Sequence, residues 1–167
     1  AGQSGDVIEV YRQIIAIYRD RLKLPVMVAN IYNQILQVDP ENIEALNALE
    51  ERYRAAGRWN DLVVVLDRKA DTARATGDDE DFITLCAEIA EIWRGRFSNY
   101  ARAAEYYELI LEYRPDDQVT LDGLISLYEQ RKEWQALYEA YQRKLDCVSG
   151  AERFELLEKM ATLAARR

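Results

Sequence analysis

The sequence contains no histidine, and this absence removes the side chain most often used as a general base or metal ligand. The motifs of a serine-hydrolase elbow, a phosphate-binding loop and a zinc-protease helix are also absent. Asp and Glu are plentiful, but their spacing singles out no carboxylate pair of the kind that glycosidases use. We therefore predict that the protein is not an enzyme and needs no cofactor or metal.

Cysteine is scarce, and no basic excess or long apolar run is present. The two cysteines, Cys86 and Cys147, are far apart and form no CxxC pair, which argues against a disulfide framework and favours a reducing compartment such as the cytoplasm. The net charge of −8 argues against binding to nucleic acid or anionic lipid, which needs a concentrated basic face. No apolar run approaches the roughly 18 residues that a membrane helix requires.

Two segments of the chain follow one pattern at a separation of 75 residues. YRAAGRWNDLVVVLDRKAD (53–71) and YEQRKEWQALYEAYQRKLD (128–146) share Tyr, Trp, Leu, Arg-Lys and Asp at the same positions. Further matches at this separation lie upstream, in the pairs Tyr32 and Tyr107, Ile35 and Ile110, Leu36 and Leu111, and Pro40 and Pro115. A self-similar period indicates stacked supersecondary units, and each 75-residue block holds two of them.

Each unit has the apolar period of a helical hairpin. Apolar residues spaced by three and four predict helices in EALNALEERY (44–53) and DLVVVLDRKAD (61–71). Prolines in VDPEN (38–42) and RPDDQ (114–118) separate hairpins, and Gly57 suits the left-handed position after a helix end. We predict an all-α fold, an α-solenoid of stacked antiparallel hairpins at about 6–40, 41–75, 80–115 and 116–148, with one terminal helix at 151–167.

The sequence also gives predictions for the two ends of the chain and for its longest loop. Residues 1–5 are predicted to be a disordered tail, or one left by processing or cloning, and residues 6–167 a single repeat domain. ATGDDED (75–81) is predicted to be the longest exposed loop. Its acidic residues favour a helix N-terminus over a calcium loop, because the alternating ligands and central glycine of an EF-hand are missing. The terminal helix is either a cap or the first helix of a further unit.

The chain resembles the tetratricopeptide repeat (TPR) family over nearly its whole length. The matching pattern is a small residue, an aromatic, an aliphatic pair and a closing proline: Ala29, Tyr32, Ile35-Leu36 and Pro40, and again Ala103, Tyr107, Ile110-Leu111 and Pro115. Gly57 and Trp59 match the turn motif. The first and third hairpins carry an extra residue and the second and fourth lack the proline, so the match is to a divergent subtype similar to bacterial repeat arrays. A related half-repeat family of RNA-processing assemblies is the alternative.

The resemblance implies a non-catalytic scaffold that binds a protein segment in a concave groove lined by the first helix of each hairpin. The predicted groove residues are Arg12, Arg19, Asn47, Glu51, Arg54, Glu88, Glu91, Arg94, Asp122, Ser126 and Glu129. Because the later helices are acidic, a basic or amphipathic partner is expected, and a clamp for a terminal carboxylate is not. The alternatives are that these charges are only solvated, and that the chain self-associates as a homodimer through the open end of the stack.

Three tryptophans and one cysteine are predicted to be packing residues. Trp59, Trp93 and Trp134 recur at equivalent or nearly equivalent places, and we interpret them as gap-filling side chains between hairpins. Cys86 lies on an apolar stripe and is predicted to be a small core residue. Leu156, Leu157, Met160 and Leu163 of the terminal helix are predicted to face the fourth hairpin.

Overall fold

The computed structural model describes residues 2–165, and the side chains of residues 5–165. Within these residues every regular element is helical and no strand occurs. The α-helices are α1 (Gly2–Ala16), α2 (Pro25–Val38), α3 (Ile43–Ala55), α4 (Trp59–Thr76), α5 (Asp79–Gly95), α6 (Tyr100–Tyr113), α7 (Gln118–Arg131), α8 (Trp134–Cys147) and α9 (Gly150–Ala165). Consecutive helices pack on each other from α1 to α4 in one part of the chain and from α6 to α9 in another, so the predicted all-α class of helical-repeat solenoids is confirmed.

The chain divides into two compact units, residues 1–85 and 86–167, with the division inside α5. In unit 1, leucines of α3 and α4 form a core that excludes solvent: Leu46, Leu49, Leu62 and Leu66 have no exposed surface. In unit 2 the equivalent core contains Ile89, Leu121, Leu124 and Leu127. The single domain over 6–167 stays a prediction.

The 75-residue period is present in the backbone as well as in the sequence. Helix α6 begins and ends 75 residues after α2, and α8 begins 75 residues after α4. Left-handed residues recur at the same separation: Lys23 (φ 53°) with Ser98 (φ 50°), and Gly57 (φ 66°) with Lys132 (φ 57°). The left-handed conformation predicted for Gly57 is confirmed.

The turn after α7 lacks glycine but has the same geometry as the turn after α3. Arg58 N–H donates to the Tyr53 carbonyl at 2.9 Å, and Glu133 N–H donates to the Tyr128 carbonyl at 3.0 Å. These bonds satisfy carbonyls at the helix ends that have no partner within the helix. Lys132 therefore adopts the left-handed conformation that Gly57 adopts more easily, because the surrounding hydrogen bonds determine the turn.

The extra residue of the first hairpin lies in a π-helical turn. Residues Ile17–Arg21 continue α1 with π-helical geometry, which takes up one more residue per turn than an α-helix. After it, Leu24 N–H donates to the Tyr18 carbonyl at 2.9 Å. The equivalent bond occurs 75 residues later, where the Asn99 N–H donates to the Trp93 carbonyl, also at 2.9 Å.

One loop prediction is wrong, and one alternative for the N-terminus is not supported. Helix α1 already begins at Gly2, so residues 2–5 are helical and not disordered, while a tail left by processing or cloning stays a prediction and Ala1 lies outside the described residues. The segment 75–81 is not the longest loop, since only Gly77 and Asp78 separate α4 from α5. Gly77 (φ 75°) ends α4, and the Asp78 carboxylate accepts from the Asp81 N–H at 3.1 Å. The acidic run thus stands at a helix N-terminus, as expected from helix capping.

The packing predictions are confirmed in part. Cys86 is 1% exposed, and Leu156 and Met160 of α9 are buried. Leu157 is 45% exposed, so it does not belong to the buried face of α9 as predicted. Trp134 is 41% exposed, which corrects its interpretation as a gap-filling residue. The last two residues of the predicted terminal helix lie outside the described residues.

Candidate functional site

In unit 1, three of the predicted groove residues lie together on α3. Asn47, Glu51 and Arg54 are exposed and follow one another at one-turn intervals. With Glu50 and Lys69 they line a surface depression of about 610 Å³. The structure thus brings these three predicted residues together on one helix.

A carboxylate beside this depression pairs with two cations. Glu50 accepts from Lys69 Nζ at 2.7 Å and from Arg54 at 2.9 Å, which links α3 to α4. Burial acts to raise the pKa of Glu50, but the two hydrogen bonds outweigh it and hold this pKa below its ordinary value. Arg54 is therefore partly engaged within the unit.

The other two predicted residues of unit 1 lie elsewhere. Arg12 pairs with Glu44 at 2.9 Å, joining α1 to α3, and makes a longer contact of 3.7 Å with Glu9. Arg19 forms a two-bond pair with the neighbouring Asp20, at 2.9 and 3.2 Å. The Arg19 side chain also lines a cleft of about 780 Å³ between the π-helical turn, α2 and α3.

In unit 2, Tyr107 of α6 connects α5 with α7. Its hydroxyl donates to Glu91 Oε1 at 2.5 Å, and Arg94 donates to Glu91 Oε2 at 2.5 Å. A methyl group in place of the Gly123 hydrogen would come within 2.8 Å of the Tyr107 ring. Burial, followed by the Glu91 hydrogen bond, raises the pKa of the Tyr107 hydroxyl. Glu91 and Arg94 therefore lie on the same side of unit 2 as the α7 backbone at Gly123.

The α7 residue Asp122 takes part in an ion-pair cluster around a buried lysine. Lys144 of α8 is only 7% exposed, and its Nζ lies 2.5 Å from Asp122 Oδ1 and 3.1 Å from Glu152 Oε1. Burial acts to lower the pKa of Lys144, but the two carboxylates outweigh it and raise this pKa. The cluster joins α7, α8 and α9 through one cation.

Glu129 lies at the edge of a cleft of about 580 Å³ formed by α7, α8 and α9. It accepts a hydrogen bond of 2.7 Å from the Tyr141 hydroxyl, and the exposed Trp134 side chain lies in the same cleft. Burial first, and then this carboxylate, raise the pKa of Tyr141. Ser126 is half-buried and accepts from Gln130 at 3.5 Å, while Glu88 is a half-buried residue of α5.

Two features of these surfaces were missed by sequence reasoning. Lys144 belongs to the repeated Arg-Lys pair, for which the sequence indicated no role. In the structure, Lys144 and its equivalent Lys69 each bind a carboxylate on the first helix of their hairpin. The cationic residues Lys23 and Arg52, which line the larger cleft of unit 1, were not among the predicted residues. In both cases a position-by-position comparison of the two 75-residue blocks could have identified these residues from the sequence.

No protein-family model matches the chain, and the comparison with curated proteins found no significant match. Over residues 2–165, no group of carboxylate and cysteine side chains has the arrangement of a metal site. In the same part of the chain, no helix is both long enough and apolar enough to span a membrane.

Proposed function

We propose that this chain is a non-catalytic scaffold of the tetratricopeptide type that binds a segment of another protein. The arrangement around Tyr107 is the main support for this proposal. This residue holds the Glu91 carboxylate of α5 beside α7, where Asp122 and Glu129 are also exposed. Fixed carboxylates on a surface that is already folded favour a partner with basic residues, since complementary charge speeds association and selects the partner.

The proposed partner is a basic, amphipathic segment bound at the acidic surface of unit 2, defined as Glu88, Glu91, Asp122, Ser126 and Glu129. Three exposed carboxylates of this surface, Glu91, Asp122 and Glu129, supply its negative charge. Arg94 and Lys144, which pair with the first two of these carboxylates, partly balance this charge. Its neighbouring cleft contains the partly exposed Trp134, which supplies an apolar contact. Aromatic side chains partly exposed in a cleft are typical anchor sites in protein interfaces.

The test is fluorescence anisotropy with two labelled helical peptides, one built from Leu and Lys and the other with Glu in place of Lys. We expect the Lys peptide to bind more tightly, and Glu91→Arg to weaken its binding by about fivefold or more. Glu91→Gln removes the charge but can still accept from Tyr107, so it separates charge from folding. Glu139→Arg on the exposed side of α8 is the matched control. Equal binding of both peptides by all variants would refute the proposal.

A second candidate function is self-association, which the exposed side of α9 favours. Phe154 is 78% exposed and Leu157 is 45% exposed, and the exposed Ala161 and Ala164 continue their stripe at helical spacing. An antiparallel pairing of two α9 helices sets Phe154 opposite Ala164 and Leu157 opposite Ala161. Large residues would then face small ones, the arrangement that lets two helices pack closely.

Light scattering over a concentration series tests the second candidate. We expect the mass to rise towards that of a dimer for the wild type and to stay monomeric for Phe154→Glu. Val119→Glu is the matched control, because Val119 is an isolated apolar residue, 81% exposed, on α7. A monomer at every concentration, or a dimer that survives Phe154→Glu, would refute pairing through this face.

A further inference from the structure

The larger cleft of unit 1 combines apolar walls with a cationic rim. Its volume is about 780 Å³, within the range of pockets that hold ligands. Leu24, Pro25, Val28 and Ala55 form apolar walls, and the buried Tyr32 lies among them. The charged residues that line the cleft are Arg19, Lys23, Arg52 and Glu51. Three cations and one carboxylate therefore surround it, although the chain as a whole has a net charge of −8.

Two of these cations, Lys23 and Arg52, are not held in an ion pair among the described residues. After the hydrogen bond from Arg19, the charge of Lys23 also helps to lower the pKa of Asp20. Arg19 is occupied by its two hydrogen bonds with Asp20. Neither Lys23 nor Arg52 forms an ion pair with any residue that the structure describes. Lys23 follows the π-helical turn in a left-handed conformation (φ 53°), and Arg52 is half-buried on α3. Both charges therefore remain available to an anionic group in the cleft.

The second block of the repeat has different residues at the equivalent positions. Position 52 corresponds to Leu127, which is completely buried, and position 23 corresponds to Ser98. Position 48 is Ala in the first block and Gly123 in the second. Gly123 packs directly against Tyr107, where a methyl group would come within 2.8 Å of the ring.

Residues that differ between the two blocks line the cleft of the first block. Tyr32 is the equivalent of Tyr107, and Ala48 lines the cleft beside Tyr32 where the second block has Gly123. Arg52 also lines the cleft, at the position where the second block has the buried Leu127. A half-buried guanidinium beside apolar walls is suited to bind an anionic group that enters the cleft.

We propose that this cleft is a second binding site, for a protein segment in which an apolar side chain is flanked by carboxylates. The apolar side chain enters between Leu24, Val28 and Ala55, and the carboxylates pair with Lys23 and Arg52. Guanidinium groups bind carboxylates through two parallel hydrogen bonds, which favours Arg52 as the main contact. This site rests on the proposed scaffold function, but its partner has the opposite charge to that expected at the acidic surface of unit 2.

The experiment uses a labelled acidic peptide of Leu, Phe, Asp and Glu, and a second peptide with Asn and Gln at the acidic positions. We expect the wild-type chain to bind the acidic peptide more tightly, with affinity falling as salt rises. Arg52→Leu and Lys23→Ser introduce the residues that the second block already uses. Each is expected to weaken binding of the acidic peptide by about fivefold or more. Arg68→Leu, an equal change on the exposed side of α4, is expected to leave the affinity unchanged.

The possible outcomes separate the two proposals. Loss of acidic-peptide binding in Arg52→Leu, while Lys-peptide binding through Glu91 is retained, supports the cleft as a distinct site. Equal affinity of wild type and Arg52→Leu for the acidic peptide refutes the cleft but leaves the scaffold proposal standing. Binding of a free aromatic carboxylate, phenylbutyrate, without binding of the peptide also refutes a protein segment as the occupant. Circular dichroism and a melting curve for each variant confirm that it is folded.

Discussion

The Tyr128 hydroxyl donates a hydrogen bond of 3.1 Å to the Glu108 carboxylate, which links α7 to α6. The residues 75 positions earlier are Tyr53 and Asn33, and they make the same contact at 2.9 Å with Asn33 as the donor. The position of the hydrogen bond is thus retained between the two blocks while its direction is reversed. A tyrosine hydroxyl permits this because it both donates and accepts.

Replacing either tyrosine by phenylalanine is expected to destabilise the fold by about 1 kcal/mol, the usual net contribution of one hydrogen bond. Neither change should lower the free energy of unfolding by much more than this. After Tyr128→Phe, Glu108 keeps Arg143 at 2.7 Å, and after Tyr53→Phe, Asn33 still donates to the Ala29 carbonyl. Urea denaturation of both variants measures the difference. A loss above about 3 kcal/mol would show that a polar group is left buried without a partner.

Gly123→Ala and Gly95→Ala are expected to change stability in opposite directions. At Gly123 the added methyl group overpacks Tyr107, whose ring is held by the Glu91 hydrogen bond, so a net loss of about 1 kcal/mol or more is predicted. At Gly95 a methyl group meets nothing within 4 Å, so the helix preference for alanine should give a gain of about 0.5 kcal/mol. Thermal unfolding of the two variants provides the comparison, and equal effects would contradict the packing described for Tyr107.

Lys144 should tolerate an apolar replacement better than an acidic one. Both of its carboxylate partners are more than half exposed, so Lys144→Met leaves no charge buried and should cost less than about 1 kcal/mol. Lys144→Glu puts a third carboxylate between Asp122 and Glu152 and should cost roughly 2 to 4 kcal/mol. Chemical denaturation of both variants tests this ranking. Similar losses for the two would mean that packing of the side chain, and not its charge, is what matters at this position.

Glu50 is predicted to stabilise unit 1 in a pH-dependent way. Because its pKa in the folded chain lies below the ordinary glutamate value of 4.5, its contribution is fully present above that pH. The contribution is lost as the pH falls below 4.5 and passes through the folded pKa. Glu50→Gln should therefore cost about 1 to 2 kcal/mol at neutral pH, and this difference should shrink in acid. Unfolding free energies measured from pH 7 to pH 3 test it, and a constant difference would contradict the ion pairs.

The helical architecture was predictable because its signals are local and repeated. The three-and-four spacing, the prolines at 40 and 115 and the 75-residue period predicted the hairpins, and the structure has helices within all four predicted ranges. The short connection between α4 and α5 was not predictable from composition. ATGDDED reads as a polar loop, yet Gly77 ends one helix and Asp78 caps the next within two residues.

The surfaces were less predictable because they depend on distances between elements. Nothing local distinguishes Lys144, buried between two carboxylates, from a solvated lysine. The cleft of unit 1 is lined by Ala48 and Arg52, where the second block has Gly123 and Leu127. The importance of these differences for the cleft becomes clear only when the two blocks are compared in the structure. Tertiary packing decides which charged residues are available to a partner, and the helical period of the sequence carries no information about that packing.

The most direct test of the scaffold proposal is an NMR titration of the ¹⁵N-labelled chain with the Leu-Lys peptide. We expect shift changes concentrated on α5 and α7, at Glu88, Glu91, Asp122, Ser126 and Glu129, and on the indole N–H of Trp134. Glu91→Arg should reduce these changes, whereas Glu139→Arg should not. Absence of shift changes, or changes confined to the exposed residues of α6, would contradict the proposal that this surface binds a protein segment.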